Sequence, residues 1–401
     1  MINQNKIVIF GAGKIGRSFI GQLFGCNGYT VVFIDIDQKI IKGLNQHESY
    51  RVVIKGEVEK EIVVHNVQAI SSLDRDKVIE AVSTAGIMAV SVGKNVLKII
   101  IPVIADGLIA RNNKYPGIPL DIILAENMRS AADFAREHLK ENLPSGFPMK
   151  SMVGLVETSI GKMVPIIPLA ELEKDPLVVF AENYNTLIVD REGFKGTIPD
   201  VKELAPKKNI KAWVDRKAFI HNLGHATVAY YGNFKHPHAT FIYEVLDDPD
   251  VYRYTKAVME QAAAILQTLY PNDFSSEDLQ AHINDLLYRF QNKALKDTIF
   301  RVGQDRPRKL GPEDRFVGVI RLAIKQGLPY DKILKAIVYS FFFQSKNENG
   351  TQSAKDKLFD NYLSKGVKFT LKELCGFDPE KDKQLIQKVN SYYNDIISNK
   401  Q

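Results

Sequence analysis

The run Gly11-Ala12-Gly13-Lys14-Ile15-Gly16 constrains the fold of this chain more than any other feature. It fits the pattern G-x-G-x-x-G, whose glycines serve a tight turn, a close backbone approach and close packing of helix on strand. Lys6–Phe10 reads as the strand before it and Ile15–Phe24 as the helix after it. A helix opening there aims free N–H groups and a positive dipole end at an anion, which points to a dinucleotide pyrophosphate. The next strand ends in Asp35, 19 residues after Gly16, where a carboxylate can accept from ribose hydroxyls. That carboxylate would repel a 2′-phosphate, so the expected cofactor is NAD, although Lys39 lies one helical turn on. Asp37 could take the same part, since strand alternation points it the same way. Ser91-Val92-Gly93 ends a further strand on the sheet's carboxyl edge, which adds Val92 and Gly93 to the candidate cofactor contacts. A plain strand end with a permissive glycine is the other reading.

The first half continues this alternation. Tyr29–Asp35, Ile87–Val92, Asp121–Ala125 and Met152–Glu157 read as strands, with helices at Asp74–Val82 and Val96–Ala105. Tyr50–Val64, turning at Lys55-Gly56-Glu57, reads as a β-hairpin added to the sheet. From about Pro206 helical periodicity takes over. Asp248-Pro249 opens a helix through Leu269, and Ser275 with Asp278 makes a capping-box-like start for the next. Gly311-Pro312-Glu313-Asp314 starts another, stopped by Gly327 and Pro329, with Phe316, Val319, Ile320, Ala323 and Ile324 as one apolar stripe. Asp331 is expected to cap Ile333–Phe343, apolar nearly all round and hence buried. The expected fold class is α/β, a Rossmann-type doubly wound sheet over residues 1–200 followed by a mostly α-helical domain over 201–401.

Net charge is +6 from 53 basic and 47 acidic residues in mixed order. That suits anionic small molecules and is too mild to argue for nucleic acid. Cys26 and Cys375 cannot supply a disulfide framework or a cysteine-rich zinc site. The N-terminus offers only the apolar run Ile7-Val8-Ile9-Phe10, and no long apolar run appears later, so the expectation is a cytoplasmic protein without membrane contact. A monomer or small homo-oligomer is expected.

Candidate chemistry lies just after the expected boundary, in Asp215-Arg216-Lys217-Ala218-Phe219-Ile220-His221-Asn222-Leu223-Gly224-His225. Oxidising an alcohol needs a base for the hydroxyl proton and donors for the developing oxyanion. Lysine, asparagine and histidine can fill those roles without a metal. His221 and His225 stand at i, i+4 as in a zinc helix, but a metalloprotease would need Glu where Asn222 stands. His236 and His238 bring no thiolate or acidic third ligand with them. On one straight helix, Lys217 and His225 would lie ~12 Å apart along the axis and ~80° apart around it. Either the helix bends near Gly224, or an extended polyol is held along it.

The Lys-x4-Asn-x2-His spacing of Lys217, Asn222 and His225, with the glycine motif, resembles the polyol-specific long-chain dehydrogenases, the mannitol dehydrogenase family. Matching stretches run nearly end to end. They include Ala125-Glu126-Asn127-Met128, Ile188-Val189-Asp190, Phe194-Lys195-Gly196, Arg289-Phe290, Asp297 with Arg301-Val302-Gly303, Arg308-Lys309-Leu310 and Asp314-Arg315. The resemblance implies a metal-independent, NAD-dependent hydride transfer with Lys217 as general acid/base. It implies Asn222 and Asn127 as donors to the substrate oxygen, His225 on a substrate hydroxyl, and Arg301 and Lys309 around the substrate. The substrate pair it implies is mannitol 1-phosphate and fructose 6-phosphate. Another polyol or a hexuronate (tagaturonate or fructuronate) is the alternative, and a non-catalytic NAD-binding sensor is the reading from a different class. A lysine at its ordinary pKa of about 10.4 is a poor base at neutral pH, so this one has to be lowered. Two places depart from the family. Gly161-Lys162 stands where an Asp-Arg pair is usual, and Asn292-Lys293 where Asn-Pro is.

Overall fold

A computed structural model describes residues 1–399; residues 400 and 401, which close the expected second domain, lie outside the described residues. The chain divides into two compact units, Met1–Val214 and the part from Asp215 onward.

The first unit is built on an eight-stranded sheet. In chain order the strands of this unit are β1 (Asn3–Phe10), β2 (Thr30–Asp35), β3 (Ser49–Ile54), β4 (Lys60–His65), β5 (Val67–Ser71) and β6 (Ala85–Val90). They continue with β7 (Leu120–Leu124), β8 (Val153–Ser159), β9 (Val179–Ala181), β10 (Leu187–Asp190) and β11 (Leu204–Lys207). The large sheet runs β11-β10-β8-β7-β6-β1-β2-β5, parallel throughout from β8 to β5. Its order reverses at β1, the switch point of a doubly wound sheet. Ile7 and Ile9 of β1 fall in one core and Val8 and Phe10 in the other, so the sheet is covered on both faces.

The hairpin is real but is not added to this sheet. β3 and β4 pair antiparallel, and β3 pairs parallel with β9 in a separate three-stranded sheet. The edge that the hairpin would have taken belongs to β5, which pairs with β2. The helix Gln38–His47 has no counterpart in the sequence reading. Asp37 caps it by accepting from the amides of Lys39 (2.9 Å) and Ile40 (3.4 Å), which removes Asp37 as a rival to Asp35. The helix expected over Val96–Ala105 runs from Lys94 to Lys114, because Leu97, Ile101, Ile104, Ala105 and Leu108 extend its apolar stripe. The unit also passes residue 200, since β11 pairs with β10 beyond it.

The second unit is helical. Its helix Leu223–Lys235 is buried along most of its length. Pro249–Leu269 starts on an Asp248 cap and Ser276–Phe290 on the Ser275–Asp278 capping box, both as expected. After the short helices Ile299–Gly303 and Arg306–Lys309, the helix Val317–Gln326 starts later than expected because residues 311–316 form turns; Gly327 ends it in the left-handed conformation. Ile324 leaves the expected stripe and is exposed, while Phe316, Val319, Ile320 and Ala323 are buried. Asp331 does not cap Asp331–Phe341. The Gln261 side chain does so from the neighbouring helix, accepting from the amides of Lys332 (2.9 Å) and Ile333 (3.1 Å). Among the described residues no helix is long and apolar enough to cross a membrane.

Candidate active site

On the first unit, the carboxyl ends of β1, β2, β6 and β7 bring Gly11–Gly16, Asp35, Val92–Gly93 and Asn127 to one edge of the sheet. Gly11 has φ +96°, and a Cβ there would lie 2.6 Å from the Ser91 carbonyl oxygen. A Cβ on Gly16 would come within 1.9 Å of the Gly11 carbonyl oxygen, so neither position tolerates a side chain. Around Gly13 there is open space, where a pyrophosphate could approach the backbone. Lys14 beside it is exposed and Ile15 is half-buried.

Asp35 closes this turn, its Oδ2 accepting from the Ala12 amide at 2.6 Å while Oδ1 accepts from Ile36 (2.7 Å) and Asp37 (3.0 Å). A carboxylate fixed by three amides at the end of β2 fits the ribose contact of a dinucleotide. The amides of Val92 and Gly93 both donate to the buried Glu126 Oε1, at 2.8 and 3.0 Å. Glu126 thereby closes the start of Lys94–Lys114, so these residues offer a ligand their surface and not their N–H groups. Asn127, next in sequence, is exposed.

The second unit carries the rest. Lys217–Asn222 is a π-helical turn between Ile210–Arg216 and Leu223–Lys235. A π turn spends about one extra residue, worth ~100° of α-helical phase. The ~80° separating Lys217 from His225 on a straight helix is thus largely cancelled, and both come to one side. The turn accounts for the angle only: the separation along the axis remains, and an extended substrate held along the helix would span it.

Around that side, the His225 ring stacks on Phe290 (centroids 4.5 Å apart, planes 7° apart) with Nε2 3.1 Å from Asp297 Oδ2. Asp297 Oδ1 accepts from Arg301 Nε at 2.6 Å and also from Arg301 Nη2. Arg315 donates to the Asn222 carbonyl oxygen at 3.2 Å and to Asp314 at 2.8 Å. Lys309 is buried, its ammonium donating to the carbonyl oxygens of Val302 and Gln304. Burial, followed by the Arg315 charge, lowers the Lys217 pKa to about 8. Burial pushes the His225 imidazole down against the pull of Asp297, and Asp297 is held low by His225 and Arg301 against its own burial. A neutral His225 with Nε2 turned to Asp297 leaves Nδ1 as an acceptor.

The comparisons with known proteins follow the same two-part division. The mannitol dehydrogenase Rossmann domain matches residues 5–203, and the mannitol dehydrogenase C-terminal domain matches residues 209–399. The chain belongs to the mannitol dehydrogenase family. Among solved structures, the mannitol 2-dehydrogenase of Pseudomonas fluorescens, in complex with NAD and D-mannitol, is similar with a TM-score of 0.75 and 14% identity over 98% of this chain and 92% of that one. A substrate-free D-sorbitol dehydrogenase is similar with a TM-score of 0.79 and 15% identity, over 98% and 93%. At such identities the likeness is one of fold.

Several of the stretches that carried the resemblance of this mannitol dehydrogenase family member turn out to be supports. Asp121 holds the Phe194-Lys195-Gly196 stretch through the amides of Lys195 (2.7 Å) and Gly196 (3.0 Å). Phe290, Asp297 and Arg315 received no role of their own from sequence, yet they fix His225 and Asn222. Their charge and aromatic types gave a signal, but their partners are far off in the chain. In the basic stretch from Arg306 to Arg315, Arg306 and Arg315 are buried while Arg308 is half-exposed. His236 Nε2 lies 2.7 Å from Asp248 Oδ2, so that histidine braces a helix start. The departure at Lys162 is structural. Its buried ammonium donates to Ser18 O (2.8 Å), Gln22 Oε1 (3.0 Å) and Asn185 Oδ1 (2.6 Å). Asn292, in the second departure, caps the short turn after it through the Ala294 amide at 3.0 Å.

Proposed function

We propose that the protein acts as a mannitol-1-phosphate 5-dehydrogenase, interconverting mannitol 1-phosphate and fructose 6-phosphate with NAD. The observation that carries this reading is the π turn, which brings a lysine lowered to about 8 onto the side of Asn222 and the braced His225, beside Arg301 and Lys309. Bound NAD would accept hydride from the alcohol carbon or return it to the ketone. Neutral Lys217 takes the hydroxyl proton in oxidation and, as ammonium, gives it back in reduction. Side-chain amides of Asn222 and Asn127 donate to the oxygen as charge develops on it. His225 accepts from a neighbouring substrate hydroxyl and fixes the carbon chain. Arg301 and Lys309 supply the positive surroundings that an anionic substrate needs. Asp35 favours NAD over NADP by repelling a 2′-phosphate.

The test is a panel. NADH consumption is followed with fructose 6-phosphate, fructose, tagaturonate and fructuronate, and repeated with NADPH. Fructose 6-phosphate with NADH should give the highest kcat/KM, at least ~10-fold above the rest, as expected if one charge-assisted contact reads the phosphate. A hexuronate or free fructose at the top would reassign the substrate, and equal use of NADPH would remove the part given to Asp35.

A further inference from the structure

A recess in the helical unit is not lined by Lys217, Asn222 or His225. It is a cavity of about 450 Å³, within the range of small-molecule pockets, and its lining includes Arg301, Arg308, Lys309, Lys355, Asp305 and Ser353. Four of those side chains are cationic and one is a carboxylate. The carboxylate is spent on its neighbours, since Asp305 Oδ2 lies 2.9 Å from both Arg308 Nε and Lys355 Nζ. Asp305 sits in the left-handed region (φ +68°), which aspartate tolerates better than most residues. Arg301 connects the recess to the candidate active site through Asp297 and His225.

We propose that this recess is the phosphate subsite, in which Arg308, Lys355 and the start of the helix Ala354–Leu363 grip the phosphate monoester of the substrate. This inference rests on the reading of the substrate as a hexitol phosphate and its keto form. Three features support it. The recess is rigid, because the wholly buried Arg306–Asp356 pair (2.9 Å) ties the 304–309 segment to that helix. Asp356 also accepts from the amides of Asp305 and Arg306, both at 3.1 Å. The helix presents its positive end, where Ser353 makes no capping bond and the amides of Ala354 and Lys355 donate to no acceptor among the described residues. Finally, Lys309 is held down at about 7 by burial and by Arg315 and Arg308, and a dianion in the recess would offset that repulsion. Arg308 and Lys355 are half or more exposed, so each can turn from Asp305 to a ligand without leaving a buried charge behind.

The experiment compares Arg308→Gln and Lys355→Gln with the unmodified enzyme. Lys368→Gln, an exposed lysine that does not line the recess, is the charge-matched control. Each recess variant should raise KM for fructose 6-phosphate about ten-fold or more, with kcat changed less than about two-fold. The preference for fructose 6-phosphate over fructose should shrink by the same factor, and the control should leave both unchanged. Inorganic phosphate should compete with fructose 6-phosphate in the unmodified enzyme and weaken as a competitor in the variants. Non-competitive inhibition by phosphate would assign the recess to a free effector and overturn the proposal. A preserved preference for fructose 6-phosphate in both variants would overturn the subsite while leaving the substrate reading intact. An unmodified enzyme that prefers fructose would overturn both.

Discussion

Residue type made Lys217 a candidate for proton transfer, and the family resemblance implied its role as base, but the lowered pKa which that proposed role needs is supplied from elsewhere. Its ordinary pKa of about 10.4 would leave almost no neutral amine at pH 7, and burial and Arg315 bring it to about 8. The direction of a pH profile follows. In the proposed reaction, oxidation of mannitol 1-phosphate uses the neutral amine, so kcat/KM should rise with pH through about 8 and level off above it. Reduction of fructose 6-phosphate needs the ammonium and should fall over the same interval. Lys217→Ala should cut turnover at least ~100-fold in both directions while NADH still binds. Arg315→Met should move the inflection upward, because it removes a cation that opposes protonation. Stopped-flow rates across pH 6 to 10 check all of these, and an unmoved inflection in Arg315→Met would deny that residue its electrostatic part. Sequence showed which residues could do chemistry. It did not show Phe290, Asp297 and Arg315 closing on His225 and Asn222, because those supports depend on tertiary contact.

Elements whose determinants are local were readable, and those held by distant side chains were not. The Asp248 cap, the Ser275–Asp278 box and the Gly327 stop lie within a turn of the ends they define. The π turns do not. In Gly16–Gly21, the Tyr50 hydroxyl donates to the Arg17 carbonyl oxygen (2.8 Å) and Lys162 to that of Ser18 (2.8 Å). Carbonyls satisfied by inserted side chains are one way in which a helix is kept out of the α register. The tie between the 304–309 segment and Ala354–Leu363 is of the same long-range kind, and it makes a quantitative prediction. Arg306→Met would leave Asp356 buried at 1% exposure beside an uncharged neighbour. Breaking one side of such a pair costs about 3–5 kcal/mol. For a unit of this size that lowers Tm by ~6–20 °C. The double change Arg306→Met with Asp356→Leu should recover most of the loss, since the orphaned charge is then gone. Calorimetry of the two variants checks this, and equal Tm values for both would mean that packing around Arg306 matters and its charge does not.

At the level of the whole chain, the switch from alternating to helical periodicity marked two units with an edge near residue 200; the family models divide between residues 203 and 209, and the compact units between Val214 and Asp215. Helical periodicity was expected from about Pro206, yet Pro206 itself lies in β11, a strand at the sheet's end where a missing N–H can be tolerated. Composition described the surface and the net charge of +6, but it could not reveal how many cations are buried. Burial leads the lowering of three of them, Lys162 to about 7, Lys309 to about 7 and Lys217 to about 8. Between those values and about 10.4 the unfolded chain holds protons that the folded chain has released. Stability therefore rises with pH in that window, because the unfolded state binds more protons. Cys26 and Cys375 act in the opposite sense from about pH 9 upward, since burial raises both thiols and the folded chain keeps protons that the unfolded chain loses. Tyr50, Tyr230 and Tyr254, whose hydroxyls desolvation also raises, join them from about pH 10. The urea midpoint of the ligand-free protein should thus climb from pH 7 to about 9 and then flatten or turn down. Adding fructose 6-phosphate should blunt the climb at its lower end, because an anion beside Lys309 restores the proton that burial had removed. A midpoint that falls steadily from pH 7 to 9 would mean that these lysines stay protonated in the folded chain, and the proton-transfer role given to Lys217 would fall with them.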